Sequence, residues 1–274
     1  MLKKATKLRI LVTGATGFIG KHLVRFLANS GHSIIALSRS GEKVGGANTQ
    51  IAYMLGELPN LSSSLSIEAA IHLAHDYRSG DGANRTITGT IDLFESLVQI
   101  GVRRQIFVSS YSAGPHAQSI YGRTKGSIEA LLKEEPSALI VRPGLVIGSG
   151  GIFARIASWA RHWPIVPLPD GGRGVVPIIE IERLCQEIAQ LCEMADPPRE
   201  FNAFHESKIS LRDLVLNVAR EDGRKPLILP IPTTCLLPLL RLAEVLGVKL
   251  PVSSDSLIGF VSNQMAEHPA NLGN

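Results

Sequence analysis

In the first half of the chain, short apolar runs alternate with longer stretches in which apolar residues recur every three or four positions. Residues 8–13, 33–37, 69–73, 105–108 and 138–141 carry the short runs and read as strands, while the stretches between them have helical periodicity. The first helix is expected over residues 18–28. Another ends with Glu95-Ser96-Leu97-Val98 before Gly101, and a third spans residues 121–135 and stops before Pro136. Strands separated by helices need crossovers, so the pattern predicts an α/β protein whose doubly wound parallel sheet has helices on both faces.

Beyond Pro143-Gly144 the pattern changes, with glycines and prolines punctuating shorter elements around residues 148–151, 164–174 and 197–198. Residues 1–144, with later segments returning to the sheet, are therefore expected to form the sheet domain. Residues 145–274 are expected to form a smaller mixed lobe at the carboxyl ends of the strands, where open α/β sheets bind ligands. The leucine-rich segment 236–246 is expected to pack as a core or capping helix, with an apolar substrate lid or a membrane-surface contact as the alternative.

Composition narrows the class. With 45% hydrophobic and 19% charged residues the chain can bury a full core. Its net charge of +4 is scattered apart from Lys3, Lys4, Lys7 and Arg9, and no basic helix accompanies them, so no nucleic-acid partner is expected. Cys185, Cys192 and Cys235 form no CxxC and lack metal-ligand spacing, which argues against a disulfide framework and a metal site and fits a reducing compartment. The longest apolar stretch, residues 226–252, is interrupted by Pro230, Pro232, Pro238 and Pro251 and predicts no membrane span. The early lysines lead straight into the first strand without a secretory apolar region, so a cytoplasmic location is expected.

The candidate chemistry begins at Gly14-Ala15-Thr16-Gly17-Phe18-Ile19-Gly20, between the first strand and the first helix. Such a turn suits a dinucleotide pyrophosphate: Gly14 permits a tight turn, Gly17 close approach of backbone to phosphate, and Gly20 close packing of helix on strand. Unpaired N–H groups at the helix start face the anion.

A second constellation lies downstream. Tyr121 and Lys125 are four residues apart, which on a helix places phenol and ammonium on one face. The lysine charge is expected to lower the phenol pKa and ready it for proton transfer. The strand over residues 105–108 ends in Ser109-Ser110, putting a hydroxyl at the same end of the sheet as the glycine turn, where it can hydrogen-bond a substrate oxygen.

Together, residues 13–20, the strand ending in Ser109-Ser110 and the Tyr121–Lys125 pair resemble the short-chain dehydrogenase/reductase superfamily, and the GxxGxxG spacing resembles its extended, epimerase/dehydratase-like branch. Ile71-His72-Leu73-Ala74, Asn84 with Gly89-Thr90, and Arg142-Pro143-Gly144 followed by Ile147-Gly148 extend the resemblance over roughly residues 8–215. It implies a Rossmann fold in which Tyr121 is the catalytic acid/base, Lys125 binds the nicotinamide ribose and Ser110 polarises the substrate. Ser109 or Ser112 could instead supply the hydroxyl. The resemblance further implies cofactor contacts from Gly14, Thr16, Gly17, Phe18, Ile19, Gly20, Leu73, Ala74, Pro143 and Gly144. Helices near residues 84–100 and 121–135 could form a homodimer contact.

The second strand ends without the acidic residue that commonly holds the ribose hydroxyls of NAD, about 20 residues beyond the first glycine. It reads Ser38-Arg39-Ser40, in which Arg39 can pair with a 2′-phosphate and the serines can hydrogen-bond it, so NADP(H) is favoured over NAD(H). Glu42 could instead fold back to the ribose, and Glu57 replaces the aspartate usual near the adenine. Three functions follow: a reductase exchanging its cofactor, a nucleotide-sugar epimerase or dehydratase retaining NAD, or a non-catalytic dinucleotide-binding sensor. Asp76, Tyr77 and Arg173 are the candidate substrate contacts. His72 reads as structural, and Glu180 and Glu182 as acids favoured at a helix start.

Overall fold

The computed structural model describes residues 7–39, 41–78, 80–206, 209–248, 250, 252–262 and 268–271. Ser40, and Lys3 and Lys4 of the early basic cluster, lie outside them.

Strands β1 (Arg9–Thr13), β2 (Ser33–Ser38), β3 (Thr49–Ala52), β4 (Ala69–His72), β5 (Gln105–Val108) and β6 (Ala138–Pro143) alternate with helices α1 (Phe18–Asn29), α2 (Gly82–Gln99) and α3 (Ile120–Leu132). Then come β7 (Leu145–Ile147), α4 (Gly151–His162), β8 (Ile165–Pro169), β9 (Val175–Val176), β10 (Ile178–Glu180), α5 (Ile181–Glu193) and β11 (Glu200–Ala203). The chain continues through β12 (Ile209–Ser210), α6 (Leu211–Glu221), β13 (Leu227–Ile231), α7 (Thr233–Val245) and α8 (Ser254–Ser262).

Seven strands form one parallel sheet in the order β11-β6-β5-β4-β1-β2-β3. Alternate residues of a strand face opposite sides, and each side is apolar. Ile10 and Val12 join Leu23 and Leu27 of α1 and Leu184 and Ile188 of α5 in one core, whereas Leu11 lies with Leu93 and Leu97 of α2 in another. Phe107 and Phe94 pack with Ile128 and Leu132 of α3. This double covering is why the central strands read as continuous apolar runs.

Two strands of the sheet escaped the sequence pattern. Both β3 and β11 are edge strands with exposed positions, and β11 carries Glu200 and Asn202, so neither has the apolar run of a central strand. By joining β6, β11 brings a late segment back to the main sheet.

After β6 the chain builds three two-stranded pairings, β7 with β10, β8 with β13, and β9 with β12. A separate apolar cluster there includes Ala160, Val166, Leu168, Leu211, Val215 and Ile228. The leucine-rich segment does form a helix, α7, but not a core helix: Leu240 is its buried residue, while Leu239, Leu242, Val245 and the following Leu246 are exposed. Among the described residues, no helix is long and apolar enough to cross a membrane.

Candidate active site

The turn after β1 has the shape its glycines suggested. Gly14 has φ +63°, and a Cβ there would lie 2.9 Å from the backbone nitrogen of Ala74. A Cβ on Gly20 would come within 2.3 Å of the Gly14 carbonyl oxygen, so a side chain would push α1 off the turn. The Leu73 and Ala74 N–H groups both donate to Thr13 Oγ1, at 3.0 and 3.1 Å, fixing the end of β4 beside the glycine turn. Gly17 caps α1 without any side-chain hydrogen bond, so the first-turn N–H groups meet no capping side chain. A pyrophosphate fits such a cradle, and glycine is demanded at the positions that shape it.

Phe18 opens α1 and is covered by the start of the next lobe. Cβ atoms on Gly148, Gly150 or Gly151 would come within 2.9, 2.4 and 3.1 Å of its ring, so those glycines let the 148–151 turn rest on it. Thr16 and Ile19 lie partly exposed in the same turn. At the end of β2, Ser38 is buried and Arg39 exposed. Pro143 ends β6 and accepts the Tyr111 N–H at 2.9 Å, while Gly144 lies so close to Pro177 that a Cβ would approach its oxygen to 2.4 Å.

Beside this cradle the structure brings Ser110, Tyr121 and Lys125 together. Ser119 caps α3 by accepting the Gly122 N–H at 3.0 Å, which puts Tyr121 in the first turn and Lys125 one turn later. The hydroxyls of Ser110 and Tyr77 both lie near enough to the Tyr121 phenol to act on its ionisation. Ser109 Oγ, in contrast, is buried and has no hydrogen-bond partner among the described residues. Lys125 is buried at 2% exposure, donates from Nζ to the Val108 carbonyl at 2.7 Å and lies 4.6 Å from the Phe107 ring centroid.

The electrostatics differ from the expectation that Lys125 lowers the phenol pKa. Burial holds Tyr121 well above its ordinary 10.0, Tyr77 adds to that, and the Ser110 hydroxyl opposes it. The ammonium is 5.8 Å from the Tyr121 ring centroid and is directed to the Val108 carbonyl, so the phenol stays protonated. Burial also pushes Lys125 down to about 7.

His75 is a site residue that sequence reasoning missed. Its ring lies edge-on to Tyr121 with centroids 4.9 Å apart, and 4.4 Å from the Tyr77 ring. Burial, reinforced by Lys125, lowers it to about 3, so it is neutral at physiological pH. Nδ1 is buried without a hydrogen-bond partner among the described residues. Only its position, just after the strand end at Leu73-Ala74, could have drawn attention to it.

The other candidates separate. His72 is buried and hydrogen-bonds Gln105 at 3.0 Å, and burial lowers it to about 4, in keeping with a structural residue. The Asp76 carboxylate is engaged by Arg78 at 2.7 Å and Arg85 at 2.9 Å, which hold it well below the usual carboxylate range and tie the loop after β4 to α2. Tyr77 is 79% exposed and covers Tyr121, the two rings being stacked 6.1 Å apart. Arg173 is exposed in the turn before β9 and, among the described residues, forms no ion pair or side-chain hydrogen bond. Arg155 of α4 is instead close enough for its charge to be felt at the Tyr77 phenol.

Comparison with known proteins shows the family and the fold. Residues 10–159, more than half of the chain, match the model of the NAD dependent epimerase/dehydratase family. A ceramide reductase of Caulobacter vibrioides is 28% identical over 245 residues, covering 81% of this chain and 73% of that protein. A UDP-glucose 4-epimerase of Pisum sativum is 28% identical over 168 residues, covering 47% of this chain and about half, 48%, of its own length. Among solved structures, the UDP-glucose 4-epimerase of Thermotoga maritima with UDP-glucose has a TM-score of 0.67 at 21% identity, covering 94% of this chain and 98% of that one. The Thermus thermophilus UDP-glucose 4-epimerase in complex with NAD has a TM-score of 0.62 at 18% identity, with the same coverage.

Proposed function

The chain belongs to the NAD dependent epimerase/dehydratase family, and from that premise we propose that it is an NAD(P)-dependent oxidoreductase that interconverts a carbonyl and a hydroxyl at a substrate carbon. The observation that carries this reading is the convergence of Ser110, Tyr121 and Lys125 beside the glycine turn. A bound nicotinamide supplies or accepts the hydride. In the reducing direction Ser110 donates a hydrogen bond to the carbonyl oxygen, and that oxygen takes a proton from the Tyr121 phenol as the carbon gains the hydride. The raised phenol pKa keeps the proton available at neutral pH. Lys125 and the turn over residues 14–20 hold the cofactor, the former at its ribose and the latter at its pyrophosphate.

The preferred cofactor is NADP(H). The end of β2 presents exposed Arg39 where an acidic residue would hold NAD ribose hydroxyls, and a guanidinium pairs well with a 2′-phosphate. The relative named a ceramide reductase supports cofactor exchange at every turnover. A second reading, a nucleotide-sugar epimerase or dehydratase retaining NAD, is supported by likeness in fold to the UDP-glucose 4-epimerases.

Parallel titrations of the nucleotide-stripped protein with NADPH and NADH test the assignment, together with identification of any nucleotide released on stripping. Tight NADPH binding that weakens at least tenfold in Arg39→Asp supports the exchanging reductase, and released NAD with preference for NADH supports the retaining enzyme. Tyr121→Phe should abolish turnover while leaving NADPH binding nearly intact. Full activity in that variant would overturn the Tyr121 mechanism.

A further inference from the structure

The cavity between α4 and α7 has a volume of about 500 Å³, within the range of small-molecule pockets. Its apolar wall is Trp159, Leu240, Val248, Leu250 and Val252, and its polar members are Arg155, Ser158, Glu244 and Ser253. None belongs to the Ser110–Tyr121–Lys125 cluster, yet two connections place the cavity next to it. Arg155 lines the cavity and acts electrostatically on Tyr77, whose ring stacks on Tyr121 with centroids 6.1 Å apart. Ser253 also lines it, and two residues later Asp255 accepts the Tyr121 backbone N–H at 3.1 Å.

The lining discriminates among substrates. A nucleotide diphosphate needs converging cations, and this wall offers Arg155 with the carboxylate of Glu244 opposing it. Glu244 receives hydrogen bonds from the Ser254 N–H at 2.6 Å and hydroxyl at 2.7 Å, and among the described residues it forms no ion pair. Leu240 and Glu244 lie one turn apart and face the cavity together, whereas the exposed Leu239, Leu242, Val245 and Leu246 lie on the other side of the same helix.

We infer that this cavity holds the apolar chain of a lipid-like substrate, an acyl or alkyl group, whose reacting hydroxyl or carbonyl carbon reaches Tyr121. The inference rests on the reading of Tyr121 as the proton-transferring group and adds the substrate class to it. Arg155, at the end of the cavity toward Tyr77, is placed to meet the polar part of such a substrate, while Trp159 and Leu240 meet its chain.

The experiment is a fluorescence titration of the full chain, loaded with NADPH, using a long-chain fluorescent fatty alcohol and the same fluorophore without the chain. Binding that depends on the chain, resists competition by UDP-glucose and weakens at least tenfold in Val248→Asp is expected. Val248 is 53% exposed, so that substitution leaves the folded core alone, and Leu240→Asp gives a second, more buried test. NADPH affinity should be unchanged in Val248→Asp. Retained NADPH binding without chain-dependent probe binding overturns the cavity assignment while leaving the Tyr121 reading intact. Competition by UDP-glucose that is lost in Arg155→Ala overturns it in favour of a nucleotide sugar. Failure of the Tyr121 reading would show separately, as full turnover in Tyr121→Phe.

Discussion

Asp255, in the first turn of α8, accepts the backbone N–H of Tyr121, with Oδ2 and nitrogen 3.1 Å apart, and its other oxygen accepts the N–H of Ile120 at 2.6 Å. A residue 134 positions away thus supplies the first-turn acceptors of the helix carrying the candidate catalytic phenol. With Ser119 bonded to Gly122, the first three N–H groups of α3 are satisfied. Asp255→Ala should lower stability by about 1 kcal/mol, the usual size of a lost helix cap. Because α3 then loses a constraint on Tyr121, kcat should fall more than NADPH affinity. Thermal melts with steady-state kinetics check this, and an unchanged kcat would make Asp255 purely structural.

A buried ion pair fixes the other end of the same helix. Arg142 of β6 donates to Glu129 of α3 at 2.7 Å, both side chains being only 10% exposed, and also reaches Glu200 of β11 at 2.6 Å. Removing one partner leaves a buried charge poorly compensated, so Glu129→Gln should destabilise the protein by about 3 kcal/mol. The more exposed Glu200 should matter less, with Glu200→Gln below about 1 kcal/mol. Urea denaturation of the two variants compares them directly, and equal effects would contradict the assignment of Glu129 as the principal partner.

The contrast between those acidic residues shows where the sequence was legible. The central strands, the glycine turn and the Tyr121–Lys125 spacing are local patterns: apolar runs, a left-handed glycine and one helical turn, each written within a few residues. Edge strands β3 and β11 lack an apolar run because solvent meets them, so periodicity passed over them. Asp255 reaches the site from 134 positions away and Arg155 from the lobe that follows β6, and no local pattern records such meetings. His75 follows a recognisable strand end, but an isolated histidine carries no spacing signal. The leucines of α7 illustrate the converse, since a leucine-rich run indicated a packed helix and the fold buries Leu240 while leaving Leu239, Leu242, Val245 and Leu246 exposed.

Lys125 makes stability depend on pH. Its ordinary value of 10.5 falls to about 7 in the folded protein because burial disfavours the ammonium. Between those values the unfolded chain binds a proton that the folded chain does not, so unfolding becomes harder as pH rises. The contribution therefore grows from about pH 7 toward 10.5, by up to about 1.4 kcal/mol per pH unit. Lys125→Met removes it, so the stability of the variant relative to the native chain should be greatest near and below neutrality and decline as pH rises. Urea melts of both proteins at several pH values measure this difference, and a flat difference would show that the lysine does not titrate in that window.

His75 gives the sharpest test of what surrounds the phenol. Its ring packs on both Tyr77 and Tyr121, and Nδ1 is buried without a partner among the described residues. With its pKa lowered to about 3, the ring remains neutral from pH 5 upward and adds no limb to the pH–rate profile there. Substituting His75→Phe keeps an aromatic ring in contact with Tyr121 but removes the nitrogen. A drop in kcat/KM of about fivefold or more, with melting temperature and NADPH affinity preserved, is the outcome expected if Nδ1 bonds substrate, since one such bond contributes about 1 kcal/mol or more. If kcat/KM holds and the variant melts higher, the nitrogen serves no substrate and the ring is there for packing.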